Sequence, residues 1–94
     1  MQSAVYISVV VTTYNQDERA LTLTLNSILQ QICTSFEIIV ADDCSKIDPS
    51  PFIHRFFDEK GFENYSIVRA SENIGTVANV ARGISAASGH IIKP

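Results

Sequence analysis

The sequence predicts a Rossmann-like, three-layer α/β/α fold with a mainly parallel sheet of about four strands. Three observations predict it. Apolar runs rich in β-formers alternate with segments of helical periodicity, in the order βαβαβαβ. The connections between strands are about ten to twenty residues long, which suits right-handed crossovers between parallel strands. Two of the strands end in polar clusters, as strands do at the ligand crevice of an open α/β sheet.

Length and composition limit the possibilities. The 94 residues, 46% of them apolar, allow one small domain over residues 1–94. A net charge of −3 without a basic cluster gives no reason to expect a nucleic-acid partner. No apolar run is long enough for a membrane segment. The two cysteines are too few for a disulfide scaffold or a zinc site, and without a signal peptide we expect a cytoplasmic location.

The first half of the chain predicts a strand, a helix and a second strand. Residues 6–12 are apolar on both alternating faces, which is typical of a fully buried strand. Asp17 and Glu18 suit the first turn of a helix, where carboxylates meet the positive end of the dipole. Residues 36–41 form the second strand. The apolar face of the helix is formed by Leu21, Leu25, Ile28, Leu29 and Ile32.

The second half repeats the alternation. Ser50 and Pro51 are the expected cap and first residue of a second helix, which Gly61 ends. Its phenylalanines, at helical spacing, are expected in the core. Residues 65–69 predict a third strand, and residues 90–93 begin a fourth. The helix between them has an apolar face formed by Val77, Val80, Ala81 and Ile84.

The first polar cluster is Thr12, Thr13, Tyr14 and Asn15, at the end of the first strand. Its hydroxyls, aromatic face and amide can bind a base or a ribose. An ordinary strand-to-helix turn, in which Asn15 bonds its own backbone, explains the same residues equally well.

The second cluster is the pair Asp42 and Asp43, at the end of the second strand. Adjacent carboxylates at a buried strand end are costly unless something binds there, and their side chains point to opposite faces. They can accept from a base N–H, from ribose hydroxyls or from the shell of a hard cation. Alternatively, Asp42 packs against backbone donors and Asp43 caps the turn before Ser45.

The third cluster enters the third helix. Gly75 permits close backbone approach, and free N–H groups at a helix start favour an anion. Asn73 supplies an amide beside it. The two histidines, His54 and His90, have no catalytic partner nearby in sequence, so we assign them no role.

Four segments carry a family resemblance in one order and spacing. Residues 8–15 are similar to a strand ending in Pro/Thr-Thr/Ser-Tyr/Phe-Asn, and residues 25–31 to the helix pattern Ser-Leu/Ile-Leu-x-Gln. Residues 36–45 are close to Phe-Glu-Ile-Ile-Val-Val-Asp-Asp-Gly-Ser. Residues 72–89 match a Glu-Asn-x-Gly helix and its ending. Together, residues 6–93 resemble the N-terminal half of the inverting family-two glycosyltransferases, which have the GT-A fold. Two residues depart from the family pattern. Cys44 stands where Gly or Asn is usual, and Ala81 stands where Asn is frequent.

The resemblance implies a site for a nucleotide-diphosphate sugar, most often a UDP-sugar. Thr12 and Tyr14 would lie against uracil and ribose, Asp43 would accept from the uracil N–H, and Asp42 would support the loop. The expected nucleotide-binding residues are Thr12, Thr13, Tyr14, Asn15, Asp42, Asp43, Asn73 and Gly75.

The resemblance also implies what this chain lacks. The family's Asp-x-Asp, which holds Mn²⁺ or Mg²⁺, follows the strand that begins at His90, and the sequence stops at Pro94. We therefore interpret the chain as the N-terminal part of a longer enzyme, with no metal ligand or catalytic residue of its own and an unknown acceptor. We expect nucleotide binding without turnover.

Two other functions remain open at this point. In a receiver-type phosphoacceptor module, Asp42 and Asp43 would bind Mg²⁺ and Lys93 would close the site. A non-catalytic interaction domain would keep the sheet without the ligand. Exposed sheet edges also predict a homodimer.

Overall fold

The computed structural model describes residues 7–31 and 35–92, which alternate between strand and helix in the predicted order. Both β1 and β2 extend one residue beyond the predicted ends. The predicted positions 6, 32 and 93 lie outside the described residues. The elements are β1 (Ile7–Thr13), α1 (Glu18–Gln31), β2 (Phe36–Asp42), α2 (Ser50–Lys60), β3 (Tyr65–Arg69), α3 (Thr76–Ala86) and β4 (His90–Ile92).

The four strands form one parallel sheet in the order β3-β2-β1-β4. The strand order therefore reverses between β1 and β4, where the chain crosses from one edge of the sheet to the other. Ligands of open α/β sheets bind outside the carboxyl ends of the strands at such a point. The predicted α/β fold with a parallel sheet is confirmed.

The main core lies between the sheet and the helices α1 and α2. It combines alternate residues of β1 and β2 with the apolar faces of both helices, as the helical periodicity predicted. Phe57 is fully buried, and its ring centroid lies 4.3 Å from that of Tyr65. The core residues are Val9, Val11, Leu25, Ile28, Ile38, Val40, Ile53, Phe56 and Phe57.

The predicted buried face of α3 is wrong. Val77 is 85% exposed, whereas the buried residues of this helix are Asn79 and Gly83. A Cβ on Gly83 would lie 2.5 Å from Cγ1 of Val10 and 3.3 Å from Cβ of Ala41. The helix therefore approaches the opposite face of the sheet through its smallest residue. The rotation of α3 about its axis is therefore set by the close approach of its backbone to the sheet, and not by burial of its apolar side chains.

The helix ends follow the predictions in part. Asp17, expected in the first turn of α1 together with Glu18, lies just before the helix and caps it, because its Oδ1 accepts from the backbone N–H of Ala20 at 2.8 Å. Gly61 ends α2 in the left-handed conformation, with φ of 68°. The expected cap by Ser50 is wrong, because α2 begins at Ser50 itself and its N–H donates to Oδ1 of Asp48 at 2.9 Å.

A polar cluster at the amino ends of the strands fixes the entry into β4. The hydroxyl of Ser8 donates to Oε2 of Glu37 at 2.6 Å, and both the backbone N–H and the hydroxyl of Ser88 donate to the same oxygen at 2.8 Å. The N–H of Gly89 donates to the Ser8 hydroxyl at 2.8 Å. Burial raises the pKa of Glu37, but these hydrogen bonds outweigh it, so the net pKa is lowered.

Among the helices within residues 7–31 and 35–92, none combines the length and hydropathy that a membrane crossing requires.

Candidate functional site

Three loops meet at the carboxyl ends of β1, β2 and β3. The ladder continues beyond the strands, because the N–H of Asp43 donates to the carbonyl of Thr13 at 3.0 Å and that of Ala70 to the carbonyl of Asp42 at 2.9 Å. The two aspartates therefore leave the sheet in an extended backbone. Their side chains point to opposite faces, as strand alternation requires.

Asp42 is fully buried and holds the loop between β2 and α2. Its carboxylate accepts from the backbone N–H of Ser45 at 2.8 Å, from the Ser45 hydroxyl at 2.5 Å and from Nε of Arg69 at 3.1 Å. The Arg69 guanidinium also donates to the Ser45 carbonyl. A buried carboxylate with a cation and hydrogen-bond donors is compensated within the chain. The turn before Ser45 is thus held by Asp42, and the alternative that Asp43 caps it is wrong.

Asp43 holds the loop between β3 and α3. It is 5% exposed, and its Oδ1 accepts from the N–H of Ile74 at 2.7 Å. Its Oδ2 accepts from the N–H of Gly75 and from Nδ2 of Asn73, both at 3.0 Å. The N–H groups of Ile74 and Gly75, just before α3, are therefore not free for an anion, because the protein's own carboxylate accepts from both. A carboxylate has about four acceptor positions, so one remains for a ligand.

Two residues in the left-handed region shape the loops after β1 and β2. Asn15 has φ of 53° and Cys44 has φ of 61°. The N–H of Asn15 donates to the Ser45 hydroxyl at 2.7 Å, and its Oδ1 accepts from the N–H of Lys46 at 2.8 Å. Asn15 thus bonds the neighbouring loop instead of its own backbone. The conformation of Cys44 explains why glycine or asparagine is usual at this place in the resembling family.

A cavity of about 180 Å³ opens between these loops and the start of α3. Four of the eight predicted site residues line it, namely Thr12, Thr13, Tyr14 and Asp43. The other four, Asn15, Asp42, Asn73 and Gly75, are absent from its wall and bond the surrounding loops. The complete lining is Thr12, Thr13, Tyr14, Gln16, Asp43, Thr76 and Asn79.

The cavity suits a small, uncharged polar ring. Pockets for whole drug-sized ligands hold about 300–1,000 Å³, so this one takes only part of such a molecule. Its described lining residues include one carboxylate, several hydroxyl and amide groups and the half-exposed ring of Tyr14, but no lysine or arginine. Hydrogen-bond acceptors and an aromatic face without a cation favour a base or ribose over a phosphate.

Sequence reasoning missed three lining residues and one supporting residue. Gln16 and Thr76 follow predicted clusters by one residue each, so extending the clusters would have found them. Asn79 lies four residues before Gly83. A polar and a small residue one helical turn apart, both buried, form the face of α3 that contacts the sheet. Arg69 ends the strand beside the aspartate pair, where a cation is needed to balance Asp42.

A larger groove of about 620 Å³ runs beside β1, but it contains no ionisable side chain among its described lining residues. Within residues 7–31 and 35–92, β4 pairs with Ile7, Ser8 and Val9, and no described strand lies beside β1 from Val10 onward. The groove is therefore the open side of the sheet rather than a polar site.

The described residues do not fit a divalent cation. Within residues 7–31 and 35–92, no three His, Cys, Asp or Glu side chains lie close enough to share a metal. Asp42 and Asp43 are engaged by donors of their own chain, and Lys93 lies outside the described residues. Mn²⁺ or Mg²⁺ in a longer parent protein stays a prediction.

Comparison with known proteins places the chain in a family. The model of glycosyl transferase family 2 matches residues 8–92. The chain belongs to this family. Family 2 membership agrees with the four-segment resemblance of the sequence, over nearly the same range. A search of the curated proteins gives no significant match.

Solved structures of a Staphylococcus aureus protein share the fold. TarS residues 1–349 in complex with UDP-GlcNAc is 29% identical, with a TM-score of 0.77, and the match covers 95% of this chain and 26% of that one. The complex of the same TarS segment with UDP is 25% identical, with a TM-score of 0.67, covering 95% and 27%. The family 2 chain thus spans about a quarter of the length of these relatives.

The strand order and the family exclude the receiver-type module. Receiver domains have the flavodoxin-like order 2-1-3-4-5, in which the third strand lies beside the first. Here β3 lies beside β2, at the far edge from β4. That alternative from the sequence is wrong.

Proposed function

We propose that this chain forms the base-binding part of a donor site for a nucleotide-diphosphate sugar, and that the nucleotide is uridine diphosphate. The observation that carries the proposal is the cavity at the strand reversal, whose described lining has one carboxylate and no cation. Asp43 accepts from three donors there, so by the count of its acceptor positions it keeps one for a ligand. Support comes from the related TarS structures, whose ligands are UDP-GlcNAc and UDP.

The chemistry of the bases favours uracil. The uracil ring has an N–H flanked by two carbonyl groups, and this N–H can donate to the remaining acceptor position of Asp43. Cytosine and adenine have an unprotonated nitrogen at the corresponding edge, which a carboxylate repels. Guanine carries an N–H there, but its two-ring system is larger, and the cavity of about 180 Å³ favours the single ring of uracil. A site that hydrogen-bonds one partner rejects analogues that leave its buried polar groups unpaired. Tyr14, half-exposed at the cavity, offers an aromatic face for stacking.

The expected reaction of the longer protein is glycosyl transfer with inversion. An acceptor hydroxyl oxygen forms a bond to the anomeric carbon, the bond from that carbon to the diphosphate oxygen breaks, and a base takes the hydroxyl proton. The described residues bind and orient the nucleotide end of the donor. The described cavity offers no base facing a sugar and no cation facing a diphosphate, so we expect the isolated chain to bind without transferring.

Isothermal titration calorimetry tests the proposal. UDP is expected to bind at least tenfold more tightly than CDP, ADP or GDP. Replacing Tyr14 by alanine removes the stacking face and should weaken UDP binding about tenfold. Ile47→Ala is the matched control, since Ile47 is also exposed but lies outside the cavity and outside the groove beside β1.

The calorimetric outcomes are distinct. Equal affinity for all four nucleotides would refute uridine selectivity, and the absence of any binding by a folded sample would favour the non-catalytic interaction domain. Transfer of sugar by the 94-residue chain would contradict the expectation that it lacks the catalytic groups.

A further inference from the structure

Asn79 carries an unpaired, buried hydrogen-bond acceptor beside the cavity. The residue is 2% exposed, and its Nδ2 donates to the carbonyl of Ala41 at 2.8 Å. This bond fixes which end of the carboxamide is the nitrogen. The other end, Oδ1, is buried and has no hydrogen-bond partner among the described residues. A buried acceptor without a partner destabilises a fold, so its presence requires an explanation.

Packing does not explain an amide at this position. Asn79 lies one helical turn before Gly83, where α3 makes its closest approach to the sheet. A leucine has the same branched arrangement of side-chain heavy atoms, with bulkier methyl groups, and would leave no unpaired oxygen. The hydrogen bond of the Asn79 side chain is made to the carbonyl of Ala41, two residues before Asp43.

The position of Asn79 connects it with the ligand site. It lines the same cavity as Asp43, Thr12 and Thr76. Thr13 lines this cavity too and also has an unpaired buried hydroxyl, but strand alternation directs its side chain to the α1 face, with Val9 and Val11. Asn79 is on the α3 face, as is the side chain of Asp43. Of these two unpaired groups among the described residues, Asn79 is therefore the one on the same face of the sheet as Asp43.

We propose that Asn79 is a nucleoside-binding residue, whose carboxamide oxygen gains its missing partner when a nucleoside enters the cavity. The oxygen accepts from an N–H or O–H of the nucleoside after a small side-chain movement that exposes it to the cavity. The ligand-free protein bears the unpaired acceptor, and binding satisfies it. This inference rests on the proposed function, because it assigns a second acceptor to the same base site.

NMR of the unmodified chain tests the inference without a substitution. The ¹⁵N-labelled side-chain amide of Asn79 is followed during titration with UDP, together with the backbone amides of Tyr14 and Asp43. We expect the Asn79 side-chain resonances to shift along the same binding curve as these backbone amides. If the backbone amides shift while the Asn79 side chain stays unchanged, the inference is wrong and the proposed function stands. If no resonance responds, both are wrong.

A substitution adds an energetic test. Asn79→Leu should weaken UDP binding about tenfold, as expected for one lost hydrogen bond. Its melting temperature should fall less than a loss of folding stability of the same size would require. Ser8→Ala is the matched control, because Ser8 is equally buried but lies at the other end of β1. That variant should lose stability and keep the UDP affinity. Undiminished UDP affinity in Asn79→Leu would overturn the inference, and if that variant does not fold, the NMR titration decides.

Discussion

Asp42 and Asp43 are neighbours in sequence but stabilise different loops. Asp42 pairs with Arg69 and holds the β2–α2 loop, whereas Asp43 holds the start of α3 through three donors. Alternation along an extended backbone separates their roles. At this scale, sequence patterns singled out four of the residues that line the cavity. They did not show the partners of each carboxylate, because Arg69 and residues 73–75 lie about thirty residues away in the sequence.

The first prediction concerns the donors around Asp43. Asp43→Ala removes the common acceptor of Asn73, Ile74 and Gly75, and we expect a loss of about 2 kcal/mol in the free energy of unfolding, because partly buried N–H groups lose their partner. Urea denaturation followed by circular dichroism measures it. Glu72→Ala, an exposed acid in the same loop, is the control and should change stability by less than about 0.5 kcal/mol.

The second prediction concerns the backbone of Cys44. With φ of 61°, a side chain here is strained by about 1 kcal/mol relative to glycine. Cys44→Gly should therefore be about 1 kcal/mol more stable than Cys44→Ala, which removes the thiol but keeps the strain. Thermal unfolding of the two variants compares them directly. Equal stability would mean that the loop relaxes without cost in the alanine variant.

At the scale of elements, sequence patterning worked where burial is apolar and failed where it is not. The cores of α1 and α2 follow helical periodicity, and each predicted residue within the described range is wholly or partly buried. The rotation of α3 could not be predicted in this way. Its contact face consists of Gly83 and Asn79, and its apolar face, including Val77, is exposed. Hydrophobic periodicity cannot predict such a contact, because Gly83 has no side chain and the helix backbone itself approaches the sheet.

The third prediction tests this contact. Gly83→Ala places a Cβ against Val10 and Ala41, and we expect a net loss of about 1–2 kcal/mol, since the steric cost exceeds the gain in helix propensity. Adding Val10→Ala should recover part of that loss, so the double variant should be more stable than the sum of the two single changes. Strict additivity in this double-mutant cycle would show that the two residues do not touch.

The fourth prediction concerns the cluster that ties β4 to β1. Hydrogen bonds from Ser8 and Ser88 hold the pKa of Glu37 below its ordinary value of 4.5 despite burial. A carboxyl group with a lowered folded-state pKa stabilises the fold fully above its unfolded value, and this contribution is lost as the pH falls through the folded value.

Glu37→Gln should therefore reduce stability near neutral pH, and the difference from the unmodified chain should shrink on acidification below about pH 5. Denaturant titrations at a series of pH values measure it. The pKa of Asp48 is also lowered, by its hydrogen bonds with Ser50, and since both proteins retain Asp48 it cancels in the comparison. A difference independent of pH would contradict the account.

For the whole molecule, the open side of the sheet leads to a prediction of self-association. The edge of β1 beyond Val9 has no strand beside it within the described residues, and exposed Leu23 lines the groove there. We predict a concentration-dependent homodimer through this edge. Light scattering of the unmodified chain and of Leu23→Lys tests it. A monomer at high concentration, or equal association of both proteins, would contradict the prediction.

The fold and the family follow from the sequence, because apolar strands, their polar ends and the crossover lengths all indicate one topology. The donor and acceptor contacts of a complete transferase do not follow, because the chain spans about a quarter of the related solved chains. The described residues are therefore expected to contribute recognition of the nucleotide base.

The most direct measurement is an amide-shift NMR titration with UDP in the absence of metal, with ADP and GDP as controls. The account predicts selective shifts for UDP at residues 12–14 and at Asp43, which line the cavity. A folded sample in which these amides stay unchanged, or respond equally to all three nucleotides, would contradict it.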